Sequence, residues 1–253
     1  QEPDEPYNYV SRWDRDIHNF INDLEFEKVE QVVMDQLHNV PKIKNIEKWE
    51  IHEDSSLSGL AAEIVSPPMP LRDFLDICPN IFKFIDKIGF TDNECGLHIG
   101  MSLPGKMDNV DLVKLILFTD ENYLWKKFSG REVNSYVEHM QETIRKEILK
   151  SRSYRPVSQE DRIGRILKLK SMIRENDIDI NYIKHHYQGI NAEHLNGNNP
   201  YIEFRYMGGR EYHSKWNDVK NIIAHYAYNM KLSCDPNFKK KEYIAKCTRI
   251  LNK

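Results

Sequence analysis

The sequence predicts an α+β fold: a mainly antiparallel sheet with helices packed on one of its faces. Three observations predict it. Segments 58–68, 95–100 and 201–205 each read as a short strand, with one or two ionisable side chains on an otherwise small or apolar run. Stretches with apolar residues at helical spacing separate them. Because the three strands lie far apart in the chain, they are expected in one sheet with helices between them, paired mainly antiparallel.

The elements follow in order. Residues 1–12 are acidic and polar and are expected to be extended. From 13 to 37, Ile17, Phe20, Ile21, Leu24, Val29, Val32, Val33 and Leu37 fall at helical spacing, with a slip at Phe26 that implies two helices or one broken helix. Pro41 ends this stretch. Segment 49–52 alternates and reads as a strand, leading into the turn-forming Glu53-Asp54-Ser55-Ser56. Glu63 to Ser66 is the first strand with a candidate site residue, and Pro67-Pro68 stops it. Leu71, Phe74, Leu75, Ile81, Phe82, Phe84 and Ile85 mark a helix over 71–88, kinked or split at Pro79. A turn at 89–93 leads into the His98 strand.

A single helix is expected over 108–128, with Val110, Val113, Leu117 and Leu124 inward, and another is marked by Val133, Val137, Met140, Ile144 and Ile148. A polar connector at 151–159 precedes a helix over 161–175. Segment 183–195 and the turn Asn196-Gly197-Asn198-Asn199-Pro200 launch the Glu203 strand. The stripe Val219, Ile222, Ile223, Tyr226 and Met230 marks the core face of a helix over 216–230. A lysine-rich amphipathic helix is expected over 238–251. The expected organisation is an N-terminal helical segment (1–48), a catalytic domain (49–232) and a C-terminal basic helix (233–253).

Bulk properties narrow the function classes. The chain has 253 residues, 40% hydrophobic and 30% charged, with a net charge of -3. That is a globular composition, and it gives no electrostatic case for nucleic-acid binding. No run approaches the roughly 18 apolar residues of a membrane span, and no secretory signal opens the chain. Gln1 implies a chain that begins downstream of the gene's start. Cys78, Cys95, Cys234 and Cys247 are scattered without a Cys-x-x-Cys pair, so free thiols in a reducing, cytoplasmic setting are expected rather than a structural zinc site.

Side chains alternate faces along a strand. Glu63 therefore opposes Ala62 and Ile64. His98 and Gly100 oppose Leu97 and Ile99, while Glu203 and Arg205 oppose Ile202 and Phe204. Two carboxylates, an imidazole and a guanidinium on one sheet face suit a metal and phosphate site. Blander readings stand beside this one. Glu63 alone is an exposed strand residue, His98 alone a hydrogen-bonded core histidine, and Glu203 with Arg205 a plain ion pair. Arg131 and Asn134 could brace a helix, and Asp54 could only form a turn. His185-His186 diverge too much to share one ion. Gly208-Gly209-Arg210 lacks the P-loop pattern and reads as a turn. Lys239-Lys240-Lys241 reads as a solvated helix face.

Four spaced motifs resemble the amidoligase family, carboxylate-amine ligases of the glutamine synthetase and glutamate-cysteine ligase superfamily. They are Asp54-Ser55-Ser56-Leu57-Ser58-Gly59 with Glu63-Ile64-Val65-Ser66-Pro67-Pro68; Cys95-Gly96-Leu97-His98-Ile99; Ser129-Gly130-Arg131-Glu132-Val133-Asn134-Ser135-Tyr136; and Tyr187-Gln188-Gly189-Ile190-Asn191 with Ile202-Glu203-Phe204-Arg205. The resemblance spans about 49–230 and implies a curved, glutamine synthetase-like sheet whose concave face binds Mg-ATP. It implies activation of a carboxylate as an acyl phosphate and attack by an amine. By this pattern Glu63, His98 and Glu203 match metal ligands, and Arg205 the group beside the transferring phosphoryl. Arg131, Asn134 and Asn191 match polar positions near nucleotide or substrate. Expected cofactors and partners are Mg²⁺, ATP and an unidentified carboxylate and amine, with no nucleic acid and no membrane. The oligomeric state and the substrates are not legible.

The chain also departs from the pattern. Gly100 stands where the family has a second histidine, and Gln188 where it has an arginine. The family's opening Gly-x-Glu-x-Glu strand is either Glu25-Phe26-Glu27, within a helical stretch, or a strand that lies upstream of Gln1 or has been lost. These departures motivate an alternative, a decayed enzyme kept as a binding module. A metal-dependent hydrolase using the same face is a more distant one.

Overall fold

The computed structural model describes residues 26–54, 57, 61–128, 139–142 and 189–251. Helices and antiparallel sheets are both present, as an α+β fold requires. The chain divides into two compact units, Gln1–Phe90 and Thr91–Lys253.

In the first unit, residues 26–37 are helical (α1). Phe26 and Glu27 are part of that helix rather than of a strand, and Glu25 lies outside the described residues. Two strands follow, β1 (Glu50–Glu53) and β2 (Ala62–Val65), paired antiparallel with Ile51 opposite Ile64 and His52 opposite Glu63. Consecutive prolines after β2 remove the N–H groups a longer ladder would need. The same run leads through Pro70 into α2 (Leu71–Ile88). This helix is neither split nor ended at Pro79 but runs on through it. Apolar burial outweighs the lost backbone bond: Ile77 and Phe84 of α2 join Val33, Leu37, Val40, Trp49 and Ile51 in one core.

The second unit is built around β5 (Ile202–Gly208), the centre of a three-stranded antiparallel sheet. It lies between β3 (Gly96–Met101) and the two-residue β4 (Ile190–Asn191). The expectation that the Glu63 strand joins the same sheet is not met. Among the described residues β2 pairs only with β1, because register depends on non-local partners that strand periodicity does not encode.

Two short helices replace the single one expected over 108–128: α3 (Leu112–Phe118) and α4 (Glu121–Lys127). Asp111 caps α3 by accepting from the Lys114 N–H, and Asp120 caps α4 by accepting from the Tyr123 N–H. The second cap starts a new helix in mid-stretch. Every residue of α3 is buried, Lys114 included. Its ammonium donates to the carbonyls of Asp235 and Phe238, both at 2.6 Å. The described part of the unit also holds the helices α5 (Trp216–Ser233) and α6 (Lys240–Leu251). The expected stripe Val219, Ile222, Ile223, Tyr226 and Met230 is buried. Tyr226 stacks on Phe204 of β5 with ring centroids 4.1 Å apart. No helix among the described residues is long and apolar enough to cross a membrane.

Candidate active site

Antiparallel partners point to the same side of a sheet. On β5, Glu203 has Gly100 of β3 opposite it on one side and Asn191 of β4 on the other. One step along, Phe204 is flanked by Ile99 and Ile190, all three buried. The alternation read from the sequence therefore holds: Ile202 and Phe204 face the core, while Glu203 and Arg205 face away from it.

The register then shifts. Leu97 pairs with Met207 while Ile99 pairs with Phe204, so β5 carries one more residue than β3 across this step. Such a bulge breaks strict alternation and re-aims side chains. Beyond it both Tyr206 and Met207 are buried, and His98 of β3 lies across from the bulged residues.

Glu203 is the meeting point. Its Oε2 accepts from the Asn191 Nδ2 at 3.1 Å and from the Arg205 guanidinium at 3.2 Å. Its Oε1 lies 3.4 Å from the His98 Nδ1. The Glu203 and Arg205 side chains are 18% and 15% exposed, so their pair is better shielded than a surface ion pair. Asn191 is itself buried and works in two directions. Its amide nitrogen holds Glu203, while its Oδ1 accepts from the Glu193 N–H and fixes the turn after β4. The Arg205 backbone N–H donates to the Gly189 carbonyl at 2.9 Å. Gly189 has to be glycine, since a Cβ there would overlap the Tyr206 ring.

Two features of the site were not legible beforehand. Tyr201 lies on the Glu203 face by the same alternation. It stacks in near-parallel fashion on His194, with centroids 4.5 Å apart. Burial raises its phenol pKa above the ordinary value, and the carboxylates of Glu203 and Glu193 add to the rise. On the core side, the buried Glu121 carboxylate accepts from the Tyr206 hydroxyl at 2.7 Å and from the N–H groups of Met140 and Gln141 at 2.8 and 3.2 Å. Residues 140–142 are helical, so Glu121 acts as an N-terminal cap supplied from another element. Trp125 meets both Tyr206 and His139 edge to face. The β5 residue next to Arg205 is thus clamped from behind.

Other candidates fall elsewhere. Glu63 belongs to the first unit, on the face of the β1–β2 pair that also carries His52. Arg131, Asn134, His185, His186 and Gln188 lie outside the described residues. Gly208 and Gly209 have positive φ of 139° and 86°, and the Gly209 N–H donates to the Cys95 carbonyl, so this segment is a turn. All four cysteines are free, with Cys78 and Cys247 buried.

Chemically, one carboxylate oxygen of Glu203 is saturated by donors and the other faces an imidazole. At 3.4 Å the His98–Glu203 approach is longer than a charge-assisted hydrogen bond. It is close to the ~3 Å expected between neighbouring ligands of one octahedral ion with bonds of about 2.1 Å. Mg²⁺ commonly takes only one or two carboxylates, the rest of its shell being water and phosphate. Glu203 with His98 is therefore compatible with such an ion as a partial donor set. Among the described residues no group of three or more His, Cys, Asp or Glu is arranged to hold a metal by itself.

A family model described as "Putative amidoligase enzyme" matches residues 18–223. The match begins well before Trp49 and takes in most of segment 1–48. Neither the curated proteins nor the solved structures include a match to this chain.

Proposed function

This chain belongs to the amidoligase family, whose members form amide bonds, and from that premise we propose that it is an ATP- and Mg²⁺-dependent carboxylate-amine ligase acting through an acyl phosphate. A substrate carboxylate attacks the γ-phosphorus of ATP, releasing ADP and leaving an acyl phosphate. An amine then attacks the acyl carbon, and phosphate departs as the amide forms.

The single observation that carries this reading is the convergence on Glu203 of His98, Arg205 and Asn191 on one face of the sheet. Phosphoryl transfer is mostly positioning and charge stabilisation, so the site needs fixed ligands and a cation near the phosphate oxygens. Glu203 and His98 are the proposed metal ligands. When bound, Mg²⁺ would neutralise charge on the phosphate oxygens. By the family pattern Arg205 is proposed to contact the transferring phosphoryl. Asn191 orients Glu203. Arg131 and Asn134 are proposed nucleotide or substrate contacts on the family pattern alone. The four free thiols support a cytoplasmic setting.

A decayed enzyme is the second reading, motivated by Gly100 and Gln188. One experiment separates the two. A non-hydrolysable ATP analogue is titrated calorimetrically into the wild-type chain and into Glu203→Ala, with Mg²⁺ and with EDTA. Saturable binding that needs Mg²⁺ and is lost in the variant supports the ligase. An inert, folded wild-type chain would sink it.

A further inference from the structure

The notable departure at the site is Gly100, which carries no side chain although it sits directly opposite Glu203. Asn191 flanks Glu203 on the other side and holds its Oε2. On the Gly100 side the room is taken by a ring from β5's own approach. A Cβ built at Gly100 would meet the Tyr201 Cδ2 at 3.3 Å and Cε2 at 3.5 Å. A methyl group there is already in tight contact with the ring, so a larger side chain at position 100 competes with Tyr201 for this space. The ring is not free to swing without cost, because it stacks on His194 at an interplanar angle of 10°. His194 in turn sits on the one-turn helix Glu193–Asn196, whose first N–H is held by Asn191. A closed chain of contacts thus runs from Glu203 through Asn191, Glu193 and His194 to Tyr201, and back to the space beside Glu203.

We infer that Tyr201 is a positioning residue of this site: its ring takes the room vacated at Gly100 and walls Glu203 on that side, keeping the carboxylate aimed at His98. Positions 100 and 201 then act as one unit, filled either by a side chain at 100 or by the ring from 201. A carboxylate with donors on Oε2 and a wall on its open flank has little freedom to rotate, which is what a ligand group on a rigid strand requires. The inference rests on the ligase reading for its function but not for its geometry, and the test separates them.

The geometric arm is a double-mutant cycle on unfolding stability without ligand, using Gly100→Ala and Tyr201→Ala. Gly100→Ala is expected to destabilise the wild-type chain and to become neutral or stabilising once Tyr201 is alanine. Additive effects would overturn the inference whatever the chain binds. The functional arm is Mg²⁺-dependent binding of the ATP analogue. Tyr201→Ala is expected to weaken it about tenfold, the size of one well-placed contact. Tyr201→Phe keeps the ring and is expected to rescue it. Combining Tyr201→Ala with Gly100→His is expected to recover most of the loss, whereas Gly100→His alone is harmful. Wild-type affinity in Tyr201→Ala would overturn the positioning role. A wild-type chain that binds no nucleotide, with the stability coupling intact, would overturn the ligase reading and the role with it, but leave the steric pairing in place.

Discussion

Glu121→Leu probes whether the back of β5 holds the front in place. The Glu121 carboxylate is 3% exposed and receives three donors, two of them from the fully buried residues Met140 and Tyr206. Leucine fills similar space but accepts nothing. Each buried donor left without a partner costs about 1–3 kcal/mol, so the pair costs about 4 kcal/mol. For a unit of this size that lowers the thermal midpoint by roughly 8–16 °C. Urea and thermal unfolding followed by circular dichroism at pH 7 measure it.

Protonation supplies a second, independent arm. Burial raises the Glu121 carboxyl pKa, with the hydrogen bonds from Tyr206, Met140 and Gln141 opposing that rise. The folded state therefore binds this proton more tightly than the unfolded chain. Stability contributed by the group falls as pH rises from the ordinary value of 4.5 through the raised one. Glu121→Gln keeps the acceptor for Met140 and Tyr206 and abolishes the titration, so its stability profile should be flatter over that window. A loss under ~0.5 kcal/mol in the leucine variant, within ordinary surface-mutation scatter, would refute the clamp. An unchanged pH slope in the glutamine variant would assign the slope to another group.

Three further outcomes follow from the same geometry. Gly189→Ala forces a methyl group into the Tyr206 ring beside the carbonyl that receives the Arg205 N–H, and should cost about 1–3 kcal/mol in denaturant unfolding; a neutral result would show that the ring has room to retreat. Asn191→Asp replaces a donor 3.1 Å from Glu203 with a second carboxylate. In EDTA the variant should lose about 1–3 kcal/mol in denaturant unfolding at neutral pH; a neutral result would contradict the contact. Arg205→Gln should reduce the extent to which Mg²⁺ and the ATP analogue strengthen each other's binding, a coupling typically about 5–150-fold; a wild-type coupling factor in the variant would remove Arg205 from the phosphate.

The sequence shows facing more clearly than pairing. Ile202 and Phe204 against Glu203 and Arg205, and the stripe from Val219 to Met230, are read correctly because periods of 2 and 3.6 are local properties. The Glu63 strand is correctly a strand, but its sheet is not the expected one, since a four-residue strand carries no record of its partner. The continuous helix through Pro79 reflects a tertiary core outweighing a local penalty. The break at Thr119 was open to reading, because Asp120 is a good N-cap preceding Tyr123 and Leu124. The bulge opposite His98, the two-way role of Asn191 and the Tyr201 ring over Gly100 depend on register and on approaches between segments distant in the chain. No window of sequence contains them.

If the proposed site holds a metal and a phosphate, the Glu203–Arg205 pair gives a reason for it to take both together rather than either alone. Separately, a cation on the Glu203 Oε1 weakens the carboxylate's hold on the Arg205 guanidinium, and a phosphate on Arg205 draws it from Glu203. Each lone ligand thus leaves one member of a half-buried pair poorly compensated, which is the costly state. A metal-bound phosphate brings a positive partner for the carboxylate and a negative one for the guanidinium in a single event, so the ion pair is exchanged rather than broken. Asn191 holds the Glu203 Oε2 from the other side, and the two-residue spacing along β5 sets the distance between the two charges. On this account Glu203 and Arg205, two residues apart on one face, are a neutral resting arrangement of the charges that the proposed reaction separates.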